Sequence, residues 1–359
     1  MRVPAQQLRN QLVSVFAAWG MSASHADTTA EMMVDTDLRG VDSHGISMLP
    51  SYDQEFRKGR LNMRPIFKTV REGPAMALID ADASLGHPVS VHAMNLAVDK
   101  CLAMGVAVVS VFNSHHFGAA GCYSKIAVER GVIGMVTSAT RGVSMVPTFA
   151  AEPVMGTNPI AFAAPAKRQP PFQLDMANTT VAAGKVKVYK LNHKPLPSGW
   201  VVDGDGGPVT DPEEAFRHVF ERPDGGITPL GGTREVGGHK GYGLAVMVHI
   251  LAGTLSGASF SPIRNRTQRP SDPHNIGHFF LAIDPRAFRA EGEFEHDLDQ
   301  VIDVLHGAKR ADPAQPVLVA GDPEMATRQE RLESGVPVPD DLMTQLRDVV
   351  QRAGVPFLL

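Results

Sequence analysis

Two spacings of hydrophobic residues divide the chain. Near the N-terminus the apolar positions recur at helical intervals: Leu8, Leu12, Val15 and Phe16. A second helical segment follows and ends near Gly40. From residue 75 onward, short apolar runs alternate with helical segments, and the β-branched run Val106–Phe112 is typical of a strand buried on both faces. The order strand, helix, strand, helix, strand predicts an α/β fold.

The same pattern predicts the remaining elements. The expected strands are 75–80, 106–112, 132–138 and 279–283, and the expected helices are 89–105, 118–130, 240–256 and 298–305. Residues 165–237 are rich in proline, glycine and aspartate, which favours loops and short strands. Helical sequence returns from Pro323 to Gly354. We therefore expect a helical domain built from residues 1–74 and 310–359 beside an α/β domain of residues 75–309.

Composition narrows the function classes. The 359 residues carry a net charge of -4, which provides neither a basic surface for nucleic acid nor a polybasic face for a membrane. Cys101 and Cys122 are too few for a disulfide framework, and Cys122 is interpreted as a small apolar filler. The longest apolar run, Leu102–Phe112, is shorter than the ~20 residues that span a bilayer. With no apolar signal core at the N-terminus, a cytoplasmic location is expected.

A glycine-rich segment opens the helix predicted at 240–256. Residues 238–244 read Gly-His-Lys-Gly-Tyr-Gly-Leu. Glycines allow a ligand to approach the backbone, helix N-terminal N–H groups favour an anion, and Lys240 adds a charge suited to phosphate. The alternative is a turn that simply precedes a core helix.

Two loops present histidines. Asp42-Ser43-His44-Gly45 ends the second helix, and Ser114-His115-His116-Phe117-Gly118 follows the buried strand at 106–112. Histidine titrates near neutrality and suits proton transfer, and loops at the carboxyl ends of strands commonly bind ligands. Adjacent histidines point to opposite faces of a strand, so we expect at most one of the pair to face a site. His44 alone could equally be a helix-end residue.

Other motifs are less specific. Gly156-Thr157-Asn158-Pro159 is a tight turn with polar side chains, in which Gly156 and Pro159 are interpreted as structural, and Asp175 could contact a ribose or phosphate or could cap a helix. His274 and His278 are four residues apart, but proline and glycine around them disfavour helical metal-ligand geometry, so no metal is expected. The chain lacks the Gly-x-Gly-x-x-Gly fingerprint after a strand, the phosphate-binding P-loop and the Gly-x-Ser-x-Gly elbow.

In order along the chain, these segments resemble the malate/L-lactate dehydrogenase-like family, also called the L-sulfolactate dehydrogenase-like family. Its other members act on ureidoglycolate, 2,3-diketogulonate and cyclic imino acids. The resemblance spans nearly the whole chain and rests on residues 38–45, 114–118, 156–159, 175–177, 239–244, 277–279, 322–328 and 335–337.

The resemblance implies an NAD(P)-dependent oxidoreductase with a non-Rossmann cofactor-binding fold, a central mixed sheet and helices from both termini. It implies reversible hydride transfer between nicotinamide (NAD or NADP) and a small 2-hydroxy or 2-oxo acid, with cyclic 2-imino acids as an alternative substrate class. It also implies a homodimer with sites near the subunit interface. The rivals are a metal-dependent lyase or hydrolase using His115, His116 and His278, and a ligand-binding protein without turnover.

Residue roles follow from the same resemblance. His116 is predicted to be the principal proton-transfer residue, with His44 supporting it. Predicted substrate contacts are Ser43, Met48, Tyr52 and Arg141. Predicted cofactor contacts are Ser138, Thr140, Asp175, Met176, Ala177, His239, Lys240, Gly241, Gly277, His278 and Phe279.

One position departs from the family. Many members carry an arginine where this chain has Met48. Such an arginine would bind a substrate carboxylate bidentately, which methionine cannot do. A monocarboxylic substrate is therefore expected, with Arg141 as the replacement cation.

Overall fold

The computed structural model describes residues 1–269 and 271–359. Its α-helices are α1 Ala5–Ala18, α2 Ala23–Leu38, α3 Leu49–Arg57, α4 Gly86–Met104, α5 Gly121–Val128, α6 Ala183–Leu191, α7 Pro212–Phe220, α8 Gly238–His249, α9 Ser261–Arg264, α10 Glu293–His306, α11 Asp322–Ser334 and α12 Asp340–Ala353. A π-helical turn, Ile250–Thr254, continues α8. Short 3-10 turns lie at Ile46–Met48 and Pro285–Ala287.

The strands are short except in the centre of the molecule. They are β1 Arg2–Val3, β2 Lys68–Gly73, β3 Met76–Asp80, β4 Val106–Ser114, β5 Ile133–Ala139, β6 Ile160–Ala164, β7 Phe172–Met176, β8 Val201–Val202, β9 Pro208–Val209, β10 Gly226–Ile227, β11 Ile276–Ile283 and β12 Val336–Pro337.

Seven strands form the central sheet, in the order β2-β3-β4-β11-β5-β6-β7. Only β3 and β4 run parallel, and β11 pairs antiparallel with β4 on one side and with β5 on the other. The sheet is therefore mixed, and the predicted α/β class is confirmed. Because β11 comes late in the chain but lies between β4 and β5, it brings residues 276–278 beside the histidine loop that follows β4.

Two large hydrophobic clusters hold the chain together. One combines both ends of the chain, with Leu8, Phe16 and Met33 packing near Leu346 and Val350. The other lies on the central sheet and includes Val109, Met94, Tyr123 and Phe280. The domain boundaries near residues 74 and 310 stay a prediction.

The segment 165–237 differs from its prediction. It contains two helices, α6 and α7, and strand β7, in addition to the three-stranded sheet β10-β8-β9. The start of α7 carries a recognisable signal: the Asp211 carboxylate accepts hydrogen bonds from the N–H groups of Glu213 and Glu214, and Pro212 occupies the first turn. The prediction of loops and short strands alone was wrong because the proline and glycine content masked this capping pattern.

Candidate active site

The two adjacent histidines after β4 diverge, as expected for residues leaving a strand. His115 is buried, its Nε2 lies 3.0 Å from the carbonyl oxygen of Arg60, and its ring stacks on His274 with centroids 4.4 Å apart. His116 turns the other way and places Nδ1 2.8 Å from the Tyr52 hydroxyl. The backbone N–H of Gly118 also donates to Nδ1, at 3.3 Å. Among the described residues Nε2 of His116 has no hydrogen-bond partner, so it is the nitrogen left for a substrate.

His44 reaches the same place from the helical side of the molecule. Its ring lies 5.4 Å from that of His116, centroid to centroid, with 30° between the planes. The Ser43 hydroxyl lies 2.8 Å from Nδ1 of His44. The structure thus brings together four predicted site residues, Ser43, His44, Tyr52 and His116, although Tyr52 and His116 are 64 positions apart in the sequence.

Burial governs the charge state of this cluster. Desolvation, followed by the neighbouring histidines His44 and His87, holds the pKa of His116 well below its ordinary value. Desolvation also lowers the pKa of His44 and raises that of Tyr52. Near neutral pH both imidazoles are therefore neutral and the phenol is protonated. A neutral imidazole hydrogen-bonded to a phenol can accept a proton on one nitrogen while the other nitrogen donates to the phenol oxygen.

Several cationic side chains lie near Glu55, which is one helical turn along α3 from Tyr52. Glu55 pairs with Arg60 at 2.8 Å and with His274 at 3.1 Å. Arg141, whose terminal nitrogen donates to Gln268 Oε1 at 2.6 Å, and Arg264 join this group, since their charges act on one another and on His274. The buried Nε of Arg141 has no hydrogen-bond partner. We call Arg60, Arg141, Arg264, His274 and Glu55 the arginine cluster.

The arginine cluster carries three guanidinium groups and one carboxylate. Burial and the nearby arginines lower the pKa of His274 to about 4, although Glu55 opposes the shift, so His274 adds no charge near neutrality. Burial and Arg60 likewise lower the pKa of Arg141. Such an excess of positive charge in a half-buried place favours an anion.

Met48 packs on the hydrophobic side of the helical region. It is half-buried and packs against the hydrophobic cluster formed by both ends of the chain. Its predicted substrate contact stays a prediction.

The predicted cofactor segments converge on the start of α8. The N–H of Leu230 donates to the carbonyl of Asn178, next to Asp175–Ala177. Gly241, in the first turn of α8, packs so closely on Leu230 that an added Cβ would lie 2.3 Å from its carbonyl oxygen. From the other side, Asn158 accepts from the Thr140 N–H at 3.2 Å and donates to the carbonyl of Ala245 in α8 at 2.9 Å. The Asn158 side chain thus links the loop at Thr140 to α8.

Exposed polar groups surround that helix start. Gly237 begins α8 in the left-handed region without a side-chain cap, and a cavity of about 500 Å³ there is lined by Arg234, Glu235, Val236, Gly237, His239 and Lys240. An uncapped helix N-terminus beside exposed cations suits the phosphates of a dinucleotide. The residues present therefore fit a nicotinamide cofactor.

Asp175 holds the start of a neighbouring helix, and its cofactor contact stays a prediction. It accepts a hydrogen bond at 2.7 Å from the N–H of Gly121, the first residue of α5, and so caps that helix. The residue is exposed at the protein surface, while the packing of protein atoms around its carboxyl raises the pKa of that group to about 6 although the Gly121 N–H opposes the shift. It remains accessible to a ribose or phosphate.

Four predicted cofactor contacts are instead turned into the protein. Ser138, Gly277, His278 and Phe279 are buried in neighbouring strands β5 and β11. Both ring nitrogens of His278 are occupied, by Ser138 at 3.0 Å and by Ser114 at 3.0 Å. His278 therefore offers no free nitrogen to a cofactor in this conformation, and its role here is to join two strands.

Sequence reasoning missed the partners of Arg141. Glu55, Arg60, Arg264 and His274 come from distant segments, and no local spacing marks them as one group. It also missed His87, a fully buried ring that meets Tyr52 edge to face at 5.7 Å between centroids.

The rival metal site gains no support from the geometry. His115, His116 and His278 bond to Arg60, Tyr52 and two serines, respectively, and do not converge. Within residues 1–269 and 271–359, no three histidine, cysteine, aspartate or glutamate side chains group as metal ligands. No helix in the described part of the chain is long and apolar enough to cross a membrane.

Comparison with known proteins places the chain in a family. The sequence model of the malate/L-lactate dehydrogenase family matches residues 3–347. A malate dehydrogenase of Pyrococcus horikoshii is 37% identical over 359 residues, covering 99% of this chain and 97% of the relative. An L-sulfolactate dehydrogenase of Methanocaldococcus jannaschii is 34% identical over 346 residues, covering 96% and 95%. The solved structure of a Δ1-piperideine-2-carboxylate reductase from Pseudomonas syringae superposes with a TM-score of 0.83 at 28% identity, covering 97% and 99%.

Fold and relatives together define a nicotinamide-dependent oxidoreductase that does not use a Rossmann domain. The chain belongs to the malate/L-lactate dehydrogenase family. It transfers hydride between a nicotinamide cofactor and a small 2-hydroxy or 2-oxo acid.

Proposed function

We propose that His116 moves the proton of this reaction, that Tyr52 sets its tautomer and that His44 supports it. The observation that carries the proposal is the 2.8 Å contact of the Tyr52 hydroxyl with His116 Nδ1, which leaves Nε2 for the substrate. When bound, the nicotinamide supplies or accepts the hydride. In the oxidative direction His116 Nε2 takes the hydroxyl proton of the substrate, while Nδ1–H donates to the Tyr52 oxygen. In the reductive direction His116 returns that proton to the substrate oxygen.

The substrate is proposed to be a 2-hydroxy acid with a second acidic group. The expectation of a monocarboxylic substrate rested on Met48, which packs against the hydrophobic cluster of the two chain ends. The arginine cluster provides the cations that an extra acidic group requires. Malate and sulfolactate, the named substrates of two relatives, each carry two acidic groups.

The cofactor is proposed to lie along Thr140, Asp175, Met176 and Ala177, with its phosphates at His239, Lys240 and Gly241. Either NAD or NADP is proposed, and kcat/KM measured with each decides between them. Lys240→Ala should weaken dinucleotide binding by about 1–3 kcal/mol, the range for losing a charge-assisted hydrogen bond. Unaltered affinity by calorimetry would assign the α8 start a structural role only.

A second candidate function is the reduction of cyclic 2-imino acids, which the structural likeness to a piperideine-carboxylate reductase favours. Initial rates on oxaloacetate, sulfopyruvate, pyruvate and a cyclic imine separate the candidates. The proposal expects the two diacids to have the highest kcat/KM, and it expects Arg141→Ala to raise their KM about 10-fold or more. If the cyclic imine has the highest kcat/KM and Arg141→Ala leaves its KM unchanged, the second candidate is favoured.

Assembly and location remain proposals. A homodimer with sites near the subunit interface is proposed from the family resemblance, and exposed apolar side chains on α8 and its π-helical continuation support it. The cytoplasmic location stays a prediction.

A further inference from the structure

The loop that carries His44 lies on a buried carboxyl group. Asp37, in the last turn of α2, is only 2% exposed, and its Oδ2 accepts a hydrogen bond from the Ile46 N–H at 2.8 Å. Gly45 approaches the same side chain so closely that an added Cβ would lie 1.9 Å from Asp37 Oδ1. Residues 41–46, which we call the His44 loop, are therefore seated on Asp37 by one hydrogen bond and one close backbone approach.

An arginine from the far end of the sequence holds the other side of the loop. Arg331, in α11, is 9% exposed. Its Nη1 donates to the carbonyl of Asp37 at 2.6 Å and also pairs with the Asp42 carboxylate. Nη2 donates to the second oxygen of Asp42 at 3.1 Å, so the guanidinium binds this carboxylate bidentately. One side chain thus ties the end of α2 to the first acidic residue of the His44 loop.

We propose that Arg331 and Asp37 are positioning residues that clamp the His44 loop and fix the distance between the His44 and His116 rings. The proposal rests on the proposed role of His44 in proton transfer. Among the described residues, the other bonds of the loop are local or at its first residue: Ser43 is exposed and bonds to His44 itself, Ser47 bonds to the Asp42 carbonyl, and the Val41 N–H donates to the Thr36 carbonyl at 3.2 Å. Burial raises the pKa of Asp37 to about 8 although the Ile46 N–H opposes it, so near neutrality this carboxyl acts as a neutral acceptor.

The chain offers a matched control one helical turn away. Arg328, also in α11, pairs with Asp35 of α2 at 3.4 Å, and within the described part of the chain it makes no hydrogen bond to the His44 loop. Arg328→Met and Arg331→Met each remove a guanidinium group that links α11 to α2. Only Arg331→Met also removes the contacts with the His44 loop. Asp42→Asn is a milder variant for the case in which Arg331→Met does not fold, because the Asp42 side chain is 54% exposed.

The test joins kinetics with hydrogen exchange on the full-length enzyme. Arg331→Met is expected to lower kcat about 10–100-fold, the usual range for losing a residue that orients a reacting one, with the KM for the cofactor within about twofold of the wild type. The amides of residues 41–46 should exchange faster. Arg328→Met should match the wild type in kcat and in the exchange rate of these amides. Asp42→Asn should change both quantities in the same direction as Arg331→Met.

A double variant shows whether the effect passes through His44. In a His44→Ala background, Arg331→Met should change kcat by less than about twofold, because coupled residues are non-additive. An undiminished loss of kcat in that background, or unchanged exchange of residues 41–46 in Arg331→Met and Asp42→Asn, would overturn the clamp. His44→Ala with wild-type kcat would instead reject the proposed role of His44, and the exchange data would still decide whether the loop is clamped.

Discussion

The groups around the His116 ring determine what each of its two nitrogens can do. Tyr52 and the Gly118 N–H both approach Nδ1, and the backbone N–H can only donate. The Tyr52 hydroxyl can donate to Nδ1 or rotate to accept from Nδ1–H. The oxidative direction uses the tautomer protonated on Nδ1, in which Nδ1–H donates to the Tyr52 oxygen and Nε2 is free to take the substrate proton.

Substituting His116 or Tyr52 should lower kcat without weakening cofactor binding. His116→Ala is expected to lower kcat by about two to four orders of magnitude, the usual contribution of a positioned acid or base, and to leave the cofactor Kd nearly unchanged. Tyr52→Phe should have a smaller effect in the same direction, because the His116 ring stays in place and loses only the hydroxyl that accepts from Nδ1–H. Steady-state rates and calorimetry with cofactor measure the two effects. Wild-type turnover in His116→Ala would transfer the role to His44.

The pH dependence follows from the direction of the pKa shift. Burial and neighbouring histidines lower the pKa of His116, so the proton that would inactivate the base binds only below the ordinary histidine range near 6.5. In the oxidative direction, kcat/KM should therefore stay high from neutral pH down through about 6.5 and fall on an acid limb below it. An acid limb centred above 6.5 would show that a different group titrates. The pH profile of His44→Ala provides the control.

At the scale of elements, the close approach of β11 to the π-helical turn fixes how α8 lies on the sheet. Gly277 faces this turn, and a Cβ there would lie 1.9 Å from the carbonyl oxygen of Ala252 and 2.6 Å from Ser256 Oγ. Any side chain would force the π-helical turn off the strand. The absence of a side chain, more than a cofactor contact, explains glycine at this position.

A pair of glycine substitutions tests this explanation. Gly277→Ala is expected to destabilise the fold by about 1–3 kcal/mol through overpacking. Gly243→Ala, in the exposed middle of α8 where a Cβ meets nothing within 4 Å, should stabilise it by about 0.5–1 kcal/mol because alanine has the higher helix propensity. Denaturant unfolding of both variants measures the contrast. Equal stabilities for Gly277→Ala and the wild type would contradict the packing argument.

The spacing of apolar residues along the chain predicted those elements that depend mainly on nearby residues. The strand at Val106–Phe112 and the helices at both chain ends follow from spacing alone, and the divergence of His115 and His116 follows from strand geometry. Helix α6 and the position of β11 do not, because neighbours from other parts of the sequence stabilise them. The arginine cluster was invisible for the same reason: Arg141 was singled out, whereas Glu55 and Arg264 meet it only in three dimensions.

At the scale of the whole molecule, the two chain ends build one hydrophobic cluster and also supply the site. Residues 42–60 contribute His44, Tyr52 and Glu55, while residues 106–141 contribute His116 and Arg141. Helix α11 holds the first of these segments through Arg331, which donates to the Asp37 carbonyl and to the Asp42 carboxylate. The reaction therefore depends on packing between the terminal helices and the sheet, and a change at residue 331 can reach a histidine 287 positions earlier in sequence.

The proposed dimer interface is the exposed apolar surface of α8 and its π-helical continuation. Leu244, Met247, Ile250 and Leu255 are 37%, 36%, 53% and 59% exposed, and their spacing of three to five residues places them along one side of α8 and its π-helical continuation. An apolar stripe of this kind is typical of a surface that pairs with another chain. We expect the protein to sediment at twice its chain mass of 38.5 kDa.

Charge placed in the stripe should dissociate the dimer. Ile250→Glu and Leu255→Glu are expected to shift the sedimenting species to a single chain mass, because a buried unpaired carboxylate opposes association. Ile66→Glu is the matched control, since Ile66 is 80% exposed and lies between α3 and β2, away from the stripe. If the site needs the neighbouring subunit, kcat should fall with the dimer fraction as the variants are diluted. A wild-type protein that sediments as one chain, or a control that dissociates equally, would place the interface elsewhere or exclude it.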